Sequence, residues 1–415
     1  MDGRIVIVGG GLAAAKAAQR LRKEGFAGEV VLVGEEGERP YIRPPLSKDY
    51  LLGKEDREQG FVHPAGWYPD HDVELRLGRR AVGLDVAGHE VALDDGARLP
   101  YAAVLLATGS APRRLSDPGS GAGLTGVHYL RTRPDSDALR AALADGGRRV
   151  VIVGAGWIGL EVAAAARTYG NAVTVVGREA VPLEGPLGPE LGALFADLHR
   201  EHGVDLRMST ATRGIVADGG SVTGVELGDG EVVPADVVVV GIGAVPRTEL
   251  AEAAGLAVDR GVVVDAALRA SAPDVWAAGD VASAFHPLLG HHLRVEHWAN
   301  ALRMGPAAAR SMLGLPVSYD QVPYFYTDQY DLGMEYTGFS DLAAGARVVY
   351  RGDRAARRFV AFWVRGETVV AGMNVNVWDV SDQIAALVRA QAPVDDARLA
   401  DESVPLADLA PAAAG

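Results

Sequence analysis

Two stretches of the chain share one pattern of apolar and polar positions. Each opens with a short β-branched run, passes through clustered glycines and continues into an alanine-rich stretch, the pattern of a buried parallel strand feeding a helix. In the first, Ile5 to Val8 leads through Gly9, Gly10, Gly11, Leu12, Ala13 and Ala14 into a helix reaching Leu21, and then a strand from Val30 to Val33. In the second, Val150 to Val153 leads through Gly154, Ala155, Gly156, Trp157, Ile158 and Gly159 into a helix reaching Ala166, and then a strand from Val173 to Val176. Two such βαβ units predict an α/β fold with two Rossmann-like dinucleotide-binding domains, or one site and a degenerate copy. Apolar runs at Val104 to Ala107, Val237 to Val240 and Val275 to Ala278 each enter a glycine-containing turn and supply further strands. Between Glu190 and His202, Leu191, Leu194, Phe195 and Leu198 share one helical face.

From about Pro323 the pattern changes. Arg347 to Arg351, Phe359 to Arg365 and Thr368 to Val377 read as an antiparallel meander with a turn at Gly366-Glu367. A helix with Val380, Ile384, Leu387 and Val388 on one face follows, giving a C-terminal α+β domain. The Ala/Pro-rich last residues are expected to be mobile.

Composition narrows the chemistry. The 415 residues carry a net charge of −14, which argues against nucleic acid or anionic membranes as partners. There are no cysteines, so disulfides, thiolate metal sites, iron–sulfur ligation and dithiol redox steps by this chain are excluded. The 10 histidines show no metal-ligand spacing, and no metal is expected. No basic segment followed by a long apolar one opens the chain, and no apolar run reaches membrane-spanning length; the expectation is a cytoplasmic protein.

Each glycine motif directly follows a strand and opens a helix, where backbone can approach a pyrophosphate and the helix N-terminus favours its charge. Ala14 stands at the third glycine position of the first motif. Glu35 ends the following strand and is placed for ribose hydroxyls, unless it is an ordinary loop acid. In the block Arg43-Pro44-Pro45-Leu46-Ser47-Lys48, two cations flank a rigid kink. Either this is a turn with Ser47 capping a helix, or Arg43 meets phosphate or adenine and Lys48 a flavin edge. Ala107-Thr108-Gly109 and Gly279-Asp280 each follow a buried strand, and Asp280 is suited to accept from a ribityl chain. Glu161 reads as a first-turn acid, favourable for the helix dipole alone, or as a partner of Lys48 across the flavin. After the second unit's second strand come Gly177, Arg178 and Glu179. No acid stands at Gly177 to repel a 2′-phosphate, and Arg178 could pair with one, while Glu179 could serve a 2′-hydroxyl.

With these motifs and LLATGSAPR, VVVVGIGAVP, VWAAGDVA, VEHWANA and VPYFYTDQYD, the chain resembles the FAD-dependent NAD(P)H:ferredoxin reductases of bacterial oxygenase systems. The resemblance covers nearly the whole chain. It implies a glutathione-reductase-like arrangement: a FAD domain from 1–107 and 236–320, an inserted NAD(P) domain over 108–235, and a C-terminal α+β domain over 321–415. It implies FAD contacts from Gly9, Gly11, Leu12, Ala13, Glu35, Arg43, Lys48, Val82, Ala107, Thr108, Gly109, Arg131, Gly279, Asp280, Glu296, His297 and Trp298. NADH or NADPH would lie along Gly154, Gly156, Ile158 and Gly159, with Gly177 and Arg178 at its adenosine end and Glu161 and Gly243 near the reacting rings.

The implied activity is hydride transfer to FAD and single-electron delivery to a [2Fe–2S] ferredoxin serving a cytochrome P450 or Rieske oxygenase, by a monomer or homodimer. Lys48 and Glu161 are the catalytic candidates, and Arg294, Arg303 and Arg310 the candidates for holding an acidic ferredoxin. Two alternatives remain open: reduction of a small molecule such as a quinone or ascorbate radical, and a signalling flavoprotein like apoptosis-inducing factor.

Overall fold

Strand Ile5–Val8, buried at every position, sits in the middle of a fully parallel sheet ordered Val275–Ala277, Ala103–Leu106, Ile5–Val8, Val30–Gly34 and Val73–Leu77. The computed structural model describes residues 3–116, 121 and 123–410, so the expectation of a mobile end lies partly outside the described residues. The chain forms two compact units.

The first unit comprises the chain up to Arg43, Asp56–Ala111 and Ala244–Pro323. Helix Leu12–Lys23 covers its parallel sheet, burying Ala13, Ala14, Ala17, Ala18 and Leu21. It packs on helix Trp298–Met312, where a Cβ at Gly305 would lie 2.2 Å from the Ala13 carbonyl oxygen. Gly305 therefore sets how closely the helices approach. A small antiparallel sheet, Ala81–Asp85, Glu90–Leu93 and Arg98–Pro100, completes one edge of the core.

The second unit comprises Pro44–Glu55, Pro112–Gly243 and the chain from Tyr324 onward. It repeats the parallel design with strands ordered Asp205–Arg207, Ala172–Val176, Arg149–Val153, Val237–Val240 and Val127–His128. Helix Trp157–Thr168 follows the central strand, and helix Pro189–Glu201 buries Leu191, Phe195 and Leu198 as its spacing predicts. The same unit contains a five-stranded antiparallel sheet ordered Tyr324–Gln329, Leu332–Gly338, Thr368–Val375, Arg358–Arg365 and Arg347–Asp353. Three of these strands match the expected meander. The first two are additional, joined by a tight turn with Tyr330 at φ 57°. Helix Ser381–Ala390 covers this sheet with Ile384, Leu387 and Val388.

Candidate active site

The two glycine turns are built alike. A Cβ at Gly9 would lie 2.0 Å from the Ala107 carbonyl oxygen, and one at Gly154 2.3 Å from that of Gly241. With φ of +138° and +110°, both positions need glycine for space and for backbone conformation. At the third position, a Cβ on Gly159 would meet the Gly154 oxygen at 2.1 Å, whereas Ala14 fits its fully buried place without such a clash. The second glycines differ in kind: a Cβ at Gly11 or Gly156 would meet nothing within 4 Å.

Gly11 and Gly156 also cap their helices in extended conformation without any side-chain cap. Each helix therefore presents unsatisfied backbone N–H groups toward open space, an arrangement suited to a pyrophosphate. Leu12 is buried beside one of these ends, and Ile158 is 44% exposed at the other. The residues present thus fit one dinucleotide in each unit.

Around the first cradle, Thr108 donates to the Arg247 carbonyl at 2.8 Å, and the Arg247 N–H donates to Gly109. Asp280, buried after the strand end and Gly279, accepts from Ser110 Oγ at 2.9 Å. His297 precedes helix Trp298–Met312, where Trp298 is half-buried. Burial lowers the His297 pKa to about 4 against the opposing pull of Asp280. Arg43 pairs with Glu36 at 2.6 Å and with the Tyr41 hydroxyl at 3.0 Å. Burial opposes its charge, but Tyr41 and Glu36 outweigh that and raise its pKa. Glu35 is held by Arg247, and Glu296 by Arg294. Val82 stands on the outer hairpin, 51% exposed.

In the second unit, Arg131 leads toward a helix capped by Thr132 and Asp135. Gly243, at φ +103°, faces open space. Gly177 is packed: a Cβ there would lie 2.8 Å from Met208 Cε and 3.0 Å from Ala155 Cβ. Arg178 beside it is exposed and makes no ion pair among the described residues. Of the three docking candidates, Arg294 is engaged by Glu296 and Arg310 by Glu24 at 3.1 Å. Arg303 is exposed with no carboxylate partner among the described residues.

The charged centre of the second unit joins residues more than a hundred positions apart. Lys48 Nζ lies 2.6 Å from Glu161 Oε1, with the side chains only 13% and 5% exposed. The two charges expected on either side of a flavin ring touch directly. Glu161 is the fifth residue of helix Trp157–Thr168 and lies outside its first turn, so the helix dipole, which acts within that turn, does not explain it. Ser47 ends a 3₁₀ turn, Pro44–Ser47, and caps no helix. Its hydroxyl donates to Glu161 Oε2 instead. Thr327, on the unanticipated strand Tyr324–Gln329, donates to Glu161 Oε1 at 2.6 Å. Lys48 also lies 5.5 Å over the Tyr326 ring. Burial, followed by Asp328 and Glu161, pushes the Tyr326 phenol up to about 12.

Only Lys48 and Glu161 of this cluster were legible as chemistry-bearing residues. Ser47 was visible as a hydroxyl inside the same motif, whereas Thr327 lies within VPYFYTDQYD, a motif to which no role was attached.

The comparisons with known proteins agree with this construction. Residues 3–305 match the family model described as pyridine nucleotide-disulphide oxidoreductase, and 324–410 match a reductase C-terminal domain. The chain is 43% identical over 404 residues to the ferredoxin–NAD(+) reductase component of the anthranilate 1,2-dioxygenase system of Burkholderia cepacia, covering 97% of this chain and 98% of that one. It is 37% identical over 413 residues to putidaredoxin reductase of Pseudomonas putida, covering 99% and 97%. A solved covalent complex of putidaredoxin reductase with putidaredoxin superposes with a TM-score of 0.93 at 36% identity, covering 98% and 97%. No described helix is long and apolar enough to cross a membrane. Glycine cradles, C-terminal domain and relatives together place the chain in the pyridine nucleotide-disulphide oxidoreductase family, as a FAD- and NAD(P)-dependent oxidoreductase of the ferredoxin reductase branch.

Proposed function

We propose that this chain accepts a hydride from NAD(P)H and delivers electrons one at a time to a [2Fe–2S] ferredoxin that supplies a cytochrome P450 or Rieske oxygenase. The observation that carries the reading is a pair of uncapped nucleotide cradles in a chain with no cysteine at all. Disulfide chemistry, for which the family is named, is closed to it. Electrons must leave from the flavin itself, and relatives at 43% and 38% identity carry the name ferredoxin–NAD(+) reductase component. Bound FAD supplies the conversion between two-electron and one-electron transfer.

The chain's own residues have separable tasks in this reading. N–H groups at the start of helix Leu12–Lys23 hold the FAD pyrophosphate, and Asp280 accepts from the ribityl chain. The matching end of helix Trp157–Thr168 holds NAD(P)H. Glu161 fixes the Lys48 ammonium in position, and Lys48 polarises the reacting edge of the ring. The acidic chain offers an acidic ferredoxin only local positive charge, and of the three docking candidates Arg303 is the one without a carboxylate partner among the described residues.

The test is steady-state turnover with a panel of [2Fe–2S] ferredoxins against quinones. The reading expects kcat/KM for at least one ferredoxin to exceed that for every quinone, and to fall as salt rises. Faster turnover with a quinone than with any ferredoxin would replace it with a small-molecule reductase.

A further inference from the structure

The Glu161 carboxylate is the end point of a longer buried construction. Thr327 Oγ1, 2.6 Å from Glu161, lies 3.2 Å from Gln329 Nε2. Gln329 Oε1 lies 2.8 Å from His199 Nε2, and His199 Nδ1 lies 3.4 Å from the Tyr330 hydroxyl. Thr327, Gln329 and His199 are each at most 1% exposed. The outer end is closed by Tyr330, whose ring stacks on His202 at 3.6 Å.

We propose that Tyr330, His199, Gln329 and Thr327 form a one-directional hydrogen-bond chain that positions Glu161 against Lys48 for hydride transfer, an inference that rests on the function proposed above. The direction follows link by link from what each group can do. Glu161, as the ion-pair partner of Lys48, accepts only, so the Thr327 hydroxyl must donate to it. The Thr327 oxygen then receives the Gln329 NH₂, which turns the Gln329 carbonyl toward His199. His199 must donate from Nε2, which leaves Nδ1 unprotonated to accept from Tyr330.

The protonation states suit this direction. Burial lowers the His199 pKa to about 4, against the opposing hydrogen bond to Gln329, so the imidazole carries one proton near neutral pH. Burial raises the Tyr330 phenol, which remains a donor. A chain whose links all point the same way polarises each successive bond. Ser47 bonds the other carboxylate oxygen, so rotation of Glu161 would break donors on both sides. These four are positioning residues, since each acts through Glu161.

Nitrogen-15 NMR of the imidazoles in the FAD-loaded wild-type protein tests the direction without relying on turnover. The expected result is His199 in the Nε2–H form with Nδ1 unprotonated; an Nδ1–H form would overturn the chain. Stopped-flow reduction by NADH and NADPH tests its role in three variants. Thr327→Val should slow flavin reduction about tenfold with coenzyme Kd within twofold of wild type. Thr327→Ser should restore the rate to within about threefold of wild type. Glu161→Gln serves as the reference. If Glu161→Gln slows reduction and Thr327→Val does not, the positioning role is refuted while the function stands. If Glu161→Gln leaves reduction unchanged, the assignment of the reacting site fails instead.

Discussion

The ion pair between Lys48 and Glu161 makes an energetic prediction that can be worked from its geometry. At 2.6 Å, and with an effective dielectric constant of about 20, the attraction is about 6 kcal/mol before desolvation. Withdrawing both groups from water consumes much of that, so the pair as a whole contributes little net stability. Removing one partner is different, because the other charge remains buried. Glu161→Gln strands an ammonium whose side chain is 13% exposed and should cost about 3 kcal/mol. Lys48→Met leaves the carboxylate with the Ser47 and Thr327 hydroxyls, so about 2 kcal/mol is expected. The double variant should lie within about 1 kcal/mol of wild type, giving a coupling of about 5 kcal/mol. The chain has two units, so one global unfolding energy is not well defined. Native-state hydrogen exchange of helix Trp157–Thr168, followed by mass spectrometry, reads the cost locally. Single-variant costs that add to within about 0.5 kcal/mol would refute the buried-pair reasoning.

Other outcomes follow from the same structure. Gly156→Ala, with open space at the new Cβ, should leave thermal stability unchanged yet weaken NAD(P)H binding at least tenfold. Gly159→Ala, 2.1 Å from a backbone oxygen, should destabilise the second unit, and thermal melts with coenzyme titrations distinguish the two. His63 and His199 are buried and both have a pKa lowered from 6.5 to about 4 by burial. The unfolded chain therefore takes up protons that the native chain refuses as pH falls from 6.5 to 4. Each histidine's contribution to its own unit, His63 in the first and His199 in the second, should be complete above pH 6.5 and decline through that window by up to about 1.4 kcal/mol per pH unit. Urea midpoints at pH 7.5 and 5.5 check this, and equal midpoints would contradict it. Arg178→Ala should lower kcat/KM for NADPH by about tenfold while changing NADH less than twofold; equal losses would remove Arg178 from the adenosine pocket.

What could be read in the sequence follows the range of the interactions. The glycine turns were legible because strand, turn and helix are contiguous, and the clashes a Cβ would make at Gly9, Gly154 and Gly159 are with backbone a fixed number of bonds or one strand away. The meander from Arg347 showed because its strands and turns are local. Strands Tyr324–Gln329 and Leu332–Gly338 escaped notice because both faces carry buried or half-buried residues, including Thr327 and Gln329. That leaves no alternation of apolar and polar positions to read. The same fact hid the hydrogen-bond chain, whose members lie 130 and 166 positions from their partners at His199 and Glu161. Motif placed Lys48 and Glu161 at one site, but only the fold shows them in contact. Of the two alternatives open for the Arg43–Lys48 block, the Ser47 cap fails for a related reason, since a hydroxyl before a helical turn looks like a cap until its acceptor 114 residues away is seen.

The central claim is that electrons enter as a hydride and leave singly. An anaerobic single-turnover titration tests it most directly: FAD-loaded protein, one equivalent of the preferred coenzyme and an excess of a [2Fe–2S] ferredoxin that supports turnover, followed by absorbance of both centres. Two ferredoxins should be reduced for each coenzyme oxidised. Coenzyme oxidised with the electrons retained on the protein, and no ferredoxin reduced, would contradict it.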